Sequence, residues 1–110
     1  MAGYYDLKKS GIDRCMFNLK AGNHEVILTS EIYSSKQAAE GGIASVQTNS
    51  PHDERYERKT STRDEPYFLL KASNGQTIGK SEMYSSAAAM ENGIASVKTN
   101  GPTKTVKDNT

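Results

Sequence analysis

Two copies of one short segment decide the fold: GIASVQTN at residues 42–49 and GIASVKTN at residues 93–100. Upstream of them stand SEIYSS and SEMYSS, and further upstream LKAGN and LKASN, each pair again 51 positions apart. Over residues 15–51 this offset gives 21 identical pairs out of 37. Self-similarity at a fixed spacing marks repeated structural units. The chain of 110 residues is therefore a tandem duplication, with a first repeat at 1–53 and a second at 54–110.

Each repeat opens with the pattern of β-strands. Phe17, Leu19 and Ala21 alternate with polar residues, and apolar residues recur at the same spacing at 68, 70 and 72; this predicts strands with one apolar face. The pair Asn74-Gly75 then favours a tight hairpin, because both residues accept positive φ. The predicted strands before and after each hairpin lie at 4–9, 25–32, 56–60 and 76–83. The tail around Val106 stands where a third repeat would begin, and it is a candidate for a strand that closes the sheet.

The pattern then becomes helical in both repeats. Ala39, Ile43 and Val46 fall at positions i, i+4 and i+7, which predicts a helix with one narrow apolar stripe. The second repeat has the same spacing at Met90, Ile94 and Val97. Asn and Pro follow each stripe and predict the end of the helix.

Serine and glycine residues refine these helices. We predict that Ser34 and Ser85 cap the helix starts, with Gln37 completing a capping box in the first repeat alone. Gly42 and Gly93 stand inside the helices, where glycine costs about 1 kcal/mol relative to alanine. We interpret them as a smooth surface for close packing of another helix or the sheet, and a ligand pressed against the glycine is the alternative.

Composition narrows the possible environments and partners. Fourteen Lys and Arg oppose thirteen Asp and Glu, so the net charge of +1 gives little support to nonspecific nucleic-acid binding. The sequence lacks an apolar run of membrane-spanning length, and its first ten residues lack the apolar core of a secretory signal. The single cysteine, Cys15, cannot form an internal disulfide. We therefore expect a cytoplasmic protein that does not enter a membrane.

The repeated residues resemble the bacterial YegP-like family, uncharacterised proteins built from one or two copies of a short strand-rich repeat. The similarity covers essentially the whole chain and is most specific in LKAxN, SExYSS and GIASVxTN. It implies an α+β fold of two tandem β-β-β-α repeats related by a pseudo-twofold axis. An antiparallel sheet would pack against two helices around one shared core, in a single compact domain. The implied state is a monomer with an internal pseudo-dimer, and the family supplies no catalytic residue to carry over.

Catalytic and metal-binding motifs are sparse. His24 and His52 are the only histidines, and neither has the spacing of metal ligands. A nucleophile elbow, a phosphate-binding loop and a dinucleotide fingerprint are all missing from the sequence. We therefore predict no cofactor, no metal and no catalytic residues.

Two duplicated features remain as site candidates. A pseudo-twofold would allow Glu31 and Glu82 to meet as a general acid/base pair, although a carboxylate just before a helix also stabilises the helix dipole. We favour that structural role. Lys20 and Lys71, with Tyr33 and Tyr84, are candidates for a symmetric cationic and aromatic surface, although lysines on the wet face of a strand are ordinary solubilising residues.

Three functional hypotheses follow. The leading one is a non-enzymatic binding or adaptor module that recognises a protein or another macromolecule through its sheet face or pseudo-twofold groove. The second is nucleic-acid binding, which would use the lysines at 20, 71, 98, 104 and 107. The third is a small-ligand carrier or an enzyme with Glu31 and Glu82 in a central cleft. The binding residues and the partner stay open at this point.

Overall fold

The computed structural model describes residues 3–110, and its elements follow the duplication. The first repeat contains strands β1 (Tyr4–Lys9), β2 (Cys15–Lys20) and β3 (Val26–Ser30), then helix α1 (Lys36–Asn49). After a 3-10 turn at Asp53–Arg55 come strands β4 (Tyr56–Thr60), β5 (Pro66–Lys71) and β6 (Thr77–Lys80), helix α2 (Ala87–Asn100) and strand β7 (Val106–Asn109). The predicted α+β fold of two β-β-β-α repeats is confirmed, and so is the closing C-terminal strand.

All seven strands form one sheet in the order β4-β5-β6-β3-β2-β1-β7. Neighbours are antiparallel except at one edge, where β7 runs parallel to β1. The prediction of an antiparallel sheet is corrected there. Because β7 enters the sheet from the end of α2 and not from a hairpin, no tight turn obliges it to run antiparallel.

The two repeats join where β3 pairs with β6. Thr29 pairs with Lys80, which is its own equivalent 51 positions further on. On the helix side, the side chain of Ser50 lies against Gly101, again its equivalent. A residue meets its own equivalent only close to a twofold axis, so both contacts support the predicted pseudo-twofold.

One hydrophobic core lies between the sheet and the two helices, and it draws on both repeats. Alternation along the strands sends every second side chain towards the helices. The fully buried members include Tyr5, Leu7, Phe17, Leu19, Leu28, Val46, Phe68, Leu70, Ile94 and Val97. In the described part of the chain, neither helix is long and apolar enough to cross a membrane.

Two buried tyrosines tie the first strand of each repeat to the end of a helix. The hydroxyl of Tyr5 donates to the carbonyl oxygen of Gly101 at 2.6 Å, and that of Tyr56 donates to the carbonyl oxygen of Ser50 at 2.7 Å. These bonds satisfy carbonyl groups that a helix end leaves without an internal partner. Burial raises the pKa of both tyrosines above the ordinary value.

The helix starts differ from the prediction by one residue. Ser35, with extended backbone, accepts a hydrogen bond from the Ala38 N–H at 3.0 Å, and Ser86 does the same for the Ala89 N–H at 3.1 Å. The predictions that Ser34 caps α1 and that Ser85 caps α2 are therefore wrong. Ala38 now occupies the third helical position, so the predicted capping box cannot form.

The glycines inside the helices make room for aromatic rings. A Cβ at Gly42 would lie 2.6 Å from Cζ of Tyr33, and a Cβ at Gly93 would lie 2.6 Å from Cζ of Tyr84. Tyr33 in turn stacks on Phe17 with ring centroids 6.2 Å apart. The packing interpretation of these glycines holds, but the group that approaches them is a tyrosine ring.

Strands β3 and β6 end earlier than predicted because a serine side chain at the end of each one takes the place of a backbone hydrogen-bond partner. The Oγ of Ser30 accepts the Phe17 N–H at 2.9 Å and donates to the carbonyl oxygen of Glu31 at 2.7 Å. Ser81 makes the equivalent bonds to Phe68 and Glu82. The side chain thus takes the place of a backbone partner, and the chain leaves the sheet at this serine.

Candidate functional site

The face of the sheet opposite the helices carries a group of lysines and two ion pairs that are equivalent in the two repeats. Because Tyr5 and Leu7 point into the core, their neighbours on β1 point away from it, and the strand register extends this face across the sheet. We call it the open face. The charged residues on its strands are six lysines and two carboxylates, and Glu31 and Glu82 border them beyond the ends of β3 and β6. The strand residues are Lys8, Lys20, Lys59, Lys71, Lys80, Lys107, Asp6 and Glu57. These give a net charge of +4, whereas the whole chain carries +1.

Two equivalent ion pairs lie on the open face. Lys20 Nζ is 3.2 Å from Asp6, and Lys71 Nζ is 3.0 Å from Glu57. Glu57 also lies 3.4 Å from Lys59, and hydrogen bonds from Lys71 and Lys59 lower its pKa. Partial burial acts to raise the pKa of Asp6, but hydrogen bonds from Asn109 and Lys20 outweigh it and lower the pKa. Three of the six lysines therefore already have carboxylate partners.

The other three lysines are available to a ligand. Within residues 3–110, no carboxylate lies within 4.0 Å of Lys8, Lys80 or Lys107. Lys80 lies over the ring of Tyr67 at 5.0 Å, and Lys107 lies over the ring of Tyr4 at 4.4 Å. Cation–π contact holds an ammonium in place while leaving its N–H groups free for an anion.

The structure brings together only part of the lysine set predicted from the sequence. Lys20, Lys71 and Lys107 lie on the open face. Lys98 lies on α2 and binds Asp53 at 2.8 Å, and Lys104 precedes β7. The sequence did not single out Lys8, Lys59 or Lys80, because the side of the sheet on which a side chain lies depends on the strand register. β-Bulges shift that register by one residue at Leu19/Lys20 and at Leu70/Lys71.

The proposed pairing of aromatic rings with these lysines does not form. Tyr33 and Tyr84 pack against helical glycines and core phenylalanines on the helix side. Burial raises the pKa of both tyrosines. The aromatic residues of the open face are instead Tyr4 and Tyr67.

Glu31 and Glu82 line one shallow depression of about 390 Å³ at the β3–β6 junction. Thr29, Lys80 and Met83 also line it. The Glu31 N–H donates to the carbonyl oxygen of Ile78, whereas Glu82 lies two residues beyond the end of β6. Both glutamate side chains are exposed at the junction. Their role as an acid/base pair stays a prediction.

The histidines and the cysteine lie apart from one another. His24 is in the β2–β3 turn with φ 71°, and its Nδ1 lies 2.9 Å from the Tyr4 hydroxyl. His52 is exposed beside the 3-10 turn, and Cys15 is buried at the start of β2. Across residues 3–110, no three His, Cys, Asp or Glu side chains are close enough together to hold a metal ion.

These features define a class of small α+β protein in which two tandem β-β-β-α repeats share one sheet and present a lysine-rich face. The chain belongs to the family described as domain of unknown function DUF1508, whose model matches residues 13–57 and 61–108. Each match spans two strands and a helix, and the first ends two residues into β4 whereas the second reaches into β7.

Proteins of this family from other bacteria are similar over their whole length. The UPF0339 protein YegP of Escherichia coli K12 is 59% identical over 110 residues, which is 100% of each chain. The solution NMR structure of the E. coli yegP protein, described as of unknown function, has a TM-score of 0.93 and covers 99% of this chain and 94% of its own. The NMR structure of UPF0339 protein SO3888 from Shewanella oneidensis, 58% identical, has a TM-score of 0.92 and covers 98% and 92%. The resemblance to the YegP-like family is thereby confirmed.

Proposed function

We propose that this chain is a non-enzymatic adaptor module that binds an acidic partner protein on its open face. The observation that carries the proposal is the segregation of charge, with +4 on the open face of a chain whose total is +1. The rest of the molecule therefore has a negative excess. Such asymmetry steers an acidic partner to one face and suppresses other orientations.

Two further features favour a protein partner. Half-buried apolar side chains of Met16, Val26 and Leu69 lie among the lysines, and protein interfaces place apolar side chains within a polar rim. Sequence-tolerant binding of single strands uses exposed aromatic rings on which bases stack. Here Tyr4 is only 8% exposed and Lys80 lies over the ring of Tyr67. We place the module in the cytoplasm, where the unpaired thiol of Cys15 stays reduced.

Nucleic acid is the second candidate, and the same net charge of +4 supports it. Its phosphates would contact the unpaired ammonium groups, and its affinity would fall steeply as salt rises. A strand of nucleic acid would have to contact several lysines at once, and the ion pairs with Asp6 and Glu57 lower the positive charge along its path.

An amide chemical-shift titration tests both candidates. The labelled protein would be titrated with poly-glutamate and with oligothymidylate, each at low and at physiological salt. We expect poly-glutamate to shift open-face amides at both salt concentrations. Shifts with oligothymidylate alone would favour the second candidate, and silence with both ligands at low salt would reject binding of acidic polymers by this face.

Neighbouring lysines on β1 supply a matched control. Lys8 lies on the open face, while Lys9 is exposed on the helix side of the same strand. Lys8→Glu should weaken poly-glutamate binding by about fivefold, whereas Lys9→Glu makes the same change in net charge and should have a much smaller effect. Equal losses from both variants would show that binding follows net charge and not this face.

A further inference from the structure

One end of the open face has basic side chains that the other end lacks. The equivalent of Tyr4 is Arg55, which binds Asn49, and the equivalent of His24 is Gly75. Strand β7, which supplies Lys107, lies outside β1, and β4 is the opposite edge of the sheet. Of the basic residues at this end, Lys20, His24 and Lys107, only Lys20 has a basic equivalent, Lys71, in the second repeat. The two repeats therefore share their strands and helices, whereas this group of basic residues occurs only at the β1 end of the open face.

These residues surround the ring of Tyr4, which is 8% exposed. Lys107 Nζ lies 4.4 Å and Lys20 Nζ 5.9 Å from its centroid. The His24 ring packs edge-on against it, and Nδ1 of His24 is 2.9 Å from its hydroxyl. The buried ring thus acts as a fixed platform that holds three basic side chains from β2, β7 and the β2–β3 turn.

Hydrogen-bond donors remain free in this group. An ammonium has three N–H donors, and in Lys20 the ion pair with Asp6 uses one of them. Within the described residues, Lys107 has no ion pair. If the Tyr4 hydroxyl donates to Nδ1 of neutral His24, the proton of the imidazole is on Nε2 and is available as a further donor.

We propose that Lys20, His24 and Lys107 form a binding site for a phosphoryl group. A phosphate oxygen accepts charge-assisted hydrogen bonds from several N–H donors at once, and three basic side chains in contact with Tyr4 supply such donors. Asp6 keeps Lys20 in position and occupies one of its three N–H donors. The site lies on the face described under the proposed function, but it needs no macromolecule, so either proposal can fail alone.

Titration with inorganic phosphate, followed by amide chemical shifts, tests the site. Sodium chloride at equal ionic strength serves as the reference. We expect saturable phosphate-specific shifts at residues 20, 24 and 107 and none around Lys71. Shifts that chloride reproduces, or that appear equally around Lys71, would overturn the proposal.

The duplication offers a matched pair of variants. Lys20→Ala and Lys71→Ala each break one equivalent ion pair, of 3.2 and 3.0 Å, so their structural costs should match. Only Lys20→Ala should weaken phosphate binding, by about fivefold. His24→Gly should weaken it by a similar factor without harming the fold, because glycine accepts the φ of 71° at this position. Equal phosphate affinity in the Lys20→Ala, His24→Gly and unaltered proteins would reject the site.

Discussion

Adjacent glycines in α1 illustrate how local surroundings decide the effect of one methyl group. At Gly41 an added Cβ meets no atom within 4 Å, whereas at Gly42 it meets Tyr33, whose ring is held against Phe17. We predict that Gly41→Ala stabilises the protein by about 0.5–1 kcal/mol through helix propensity. Gly42→Ala should destabilise it by about 1–3 kcal/mol, because the overpacked ring must move.

Urea unfolding of both variants measures this difference. The two substitutions have the same intrinsic propensity gain, so Gly41→Ala is the control for Gly42→Ala. If Gly42→Ala were as stable as Gly41→Ala, the ring of Tyr33 would not be confined by the helix.

Strand β7 is the element that we expect to detach first. All four of its residues are exposed, and it lies at the sheet edge. Asp108 binds Lys36 of α1, and this bond holds the pKa of Asp108 well below the usual range. Asn109 donates to Asp6 at 2.7 Å. Side-chain contacts to carboxylates thus supplement the short backbone pairing of β7 with β1.

Acid should therefore loosen β7 before the central strands. A carboxylate whose folded pKa is depressed stabilises the fold above its unfolded pKa of about 4, and this contribution is lost as pH falls through the folded pKa. Hydrogen exchange compared at pH 6 and pH 2 should show a loss of protection at residues 106–109. The Lys36→Ala variant should already show reduced protection at pH 6 and a smaller further loss in acid. Unchanged β7 protection in both experiments would contradict this account.

Element boundaries were predictable where the sequence had one strong signal. The bounds of β1 and β4 match the predicted ranges, and the helical stripe of Ala39, Ile43 and Val46 is buried. The cap position was missed because two serines stand side by side at 34 and 35, and only backbone geometry selects between them. The parallel pairing of β7 depends on where α2 ends in space, which periodicity does not encode.

The whole molecule was predictable chiefly through its duplication. An offset of 51 residues with 21 identities gave two repeats, and their shared sheet is observed. The open face was harder to anticipate, because β1, β2, β3 and β6 must be in register before Lys8 and Lys80, 72 residues apart, share a surface. The prediction of a single domain adds an expectation of one cooperative unfolding transition, since the buried core contains residues of both repeats.

The sheet junction provides the sharpest test of the pseudo-twofold. Leu28 and Gly79 are equivalent positions that break the repeat, and they are in contact: a Cβ at Gly79 would lie 2.9 Å from Cγ of Leu28. One leucine therefore fills a space that two could not share. We predict that Leu28→Gly destabilises the protein by about 2–5 kcal/mol through a cavity and that Gly79→Leu overpacks the junction.

The double variant Leu28→Gly with Gly79→Leu exchanges the two residues across the junction. If the repeats are related by a twofold axis, the transferred leucine fills the space that its partner has vacated, and the double variant should recover more than half of the stability lost by the weaker single variant. Such recovery is a strong departure from additivity, which unfolding in urea measures directly. Losses that simply add would mean that the two sides of the junction are not interchangeable. The pseudo-twofold would then relate the sequences of the two repeats but not the packing of their side chains.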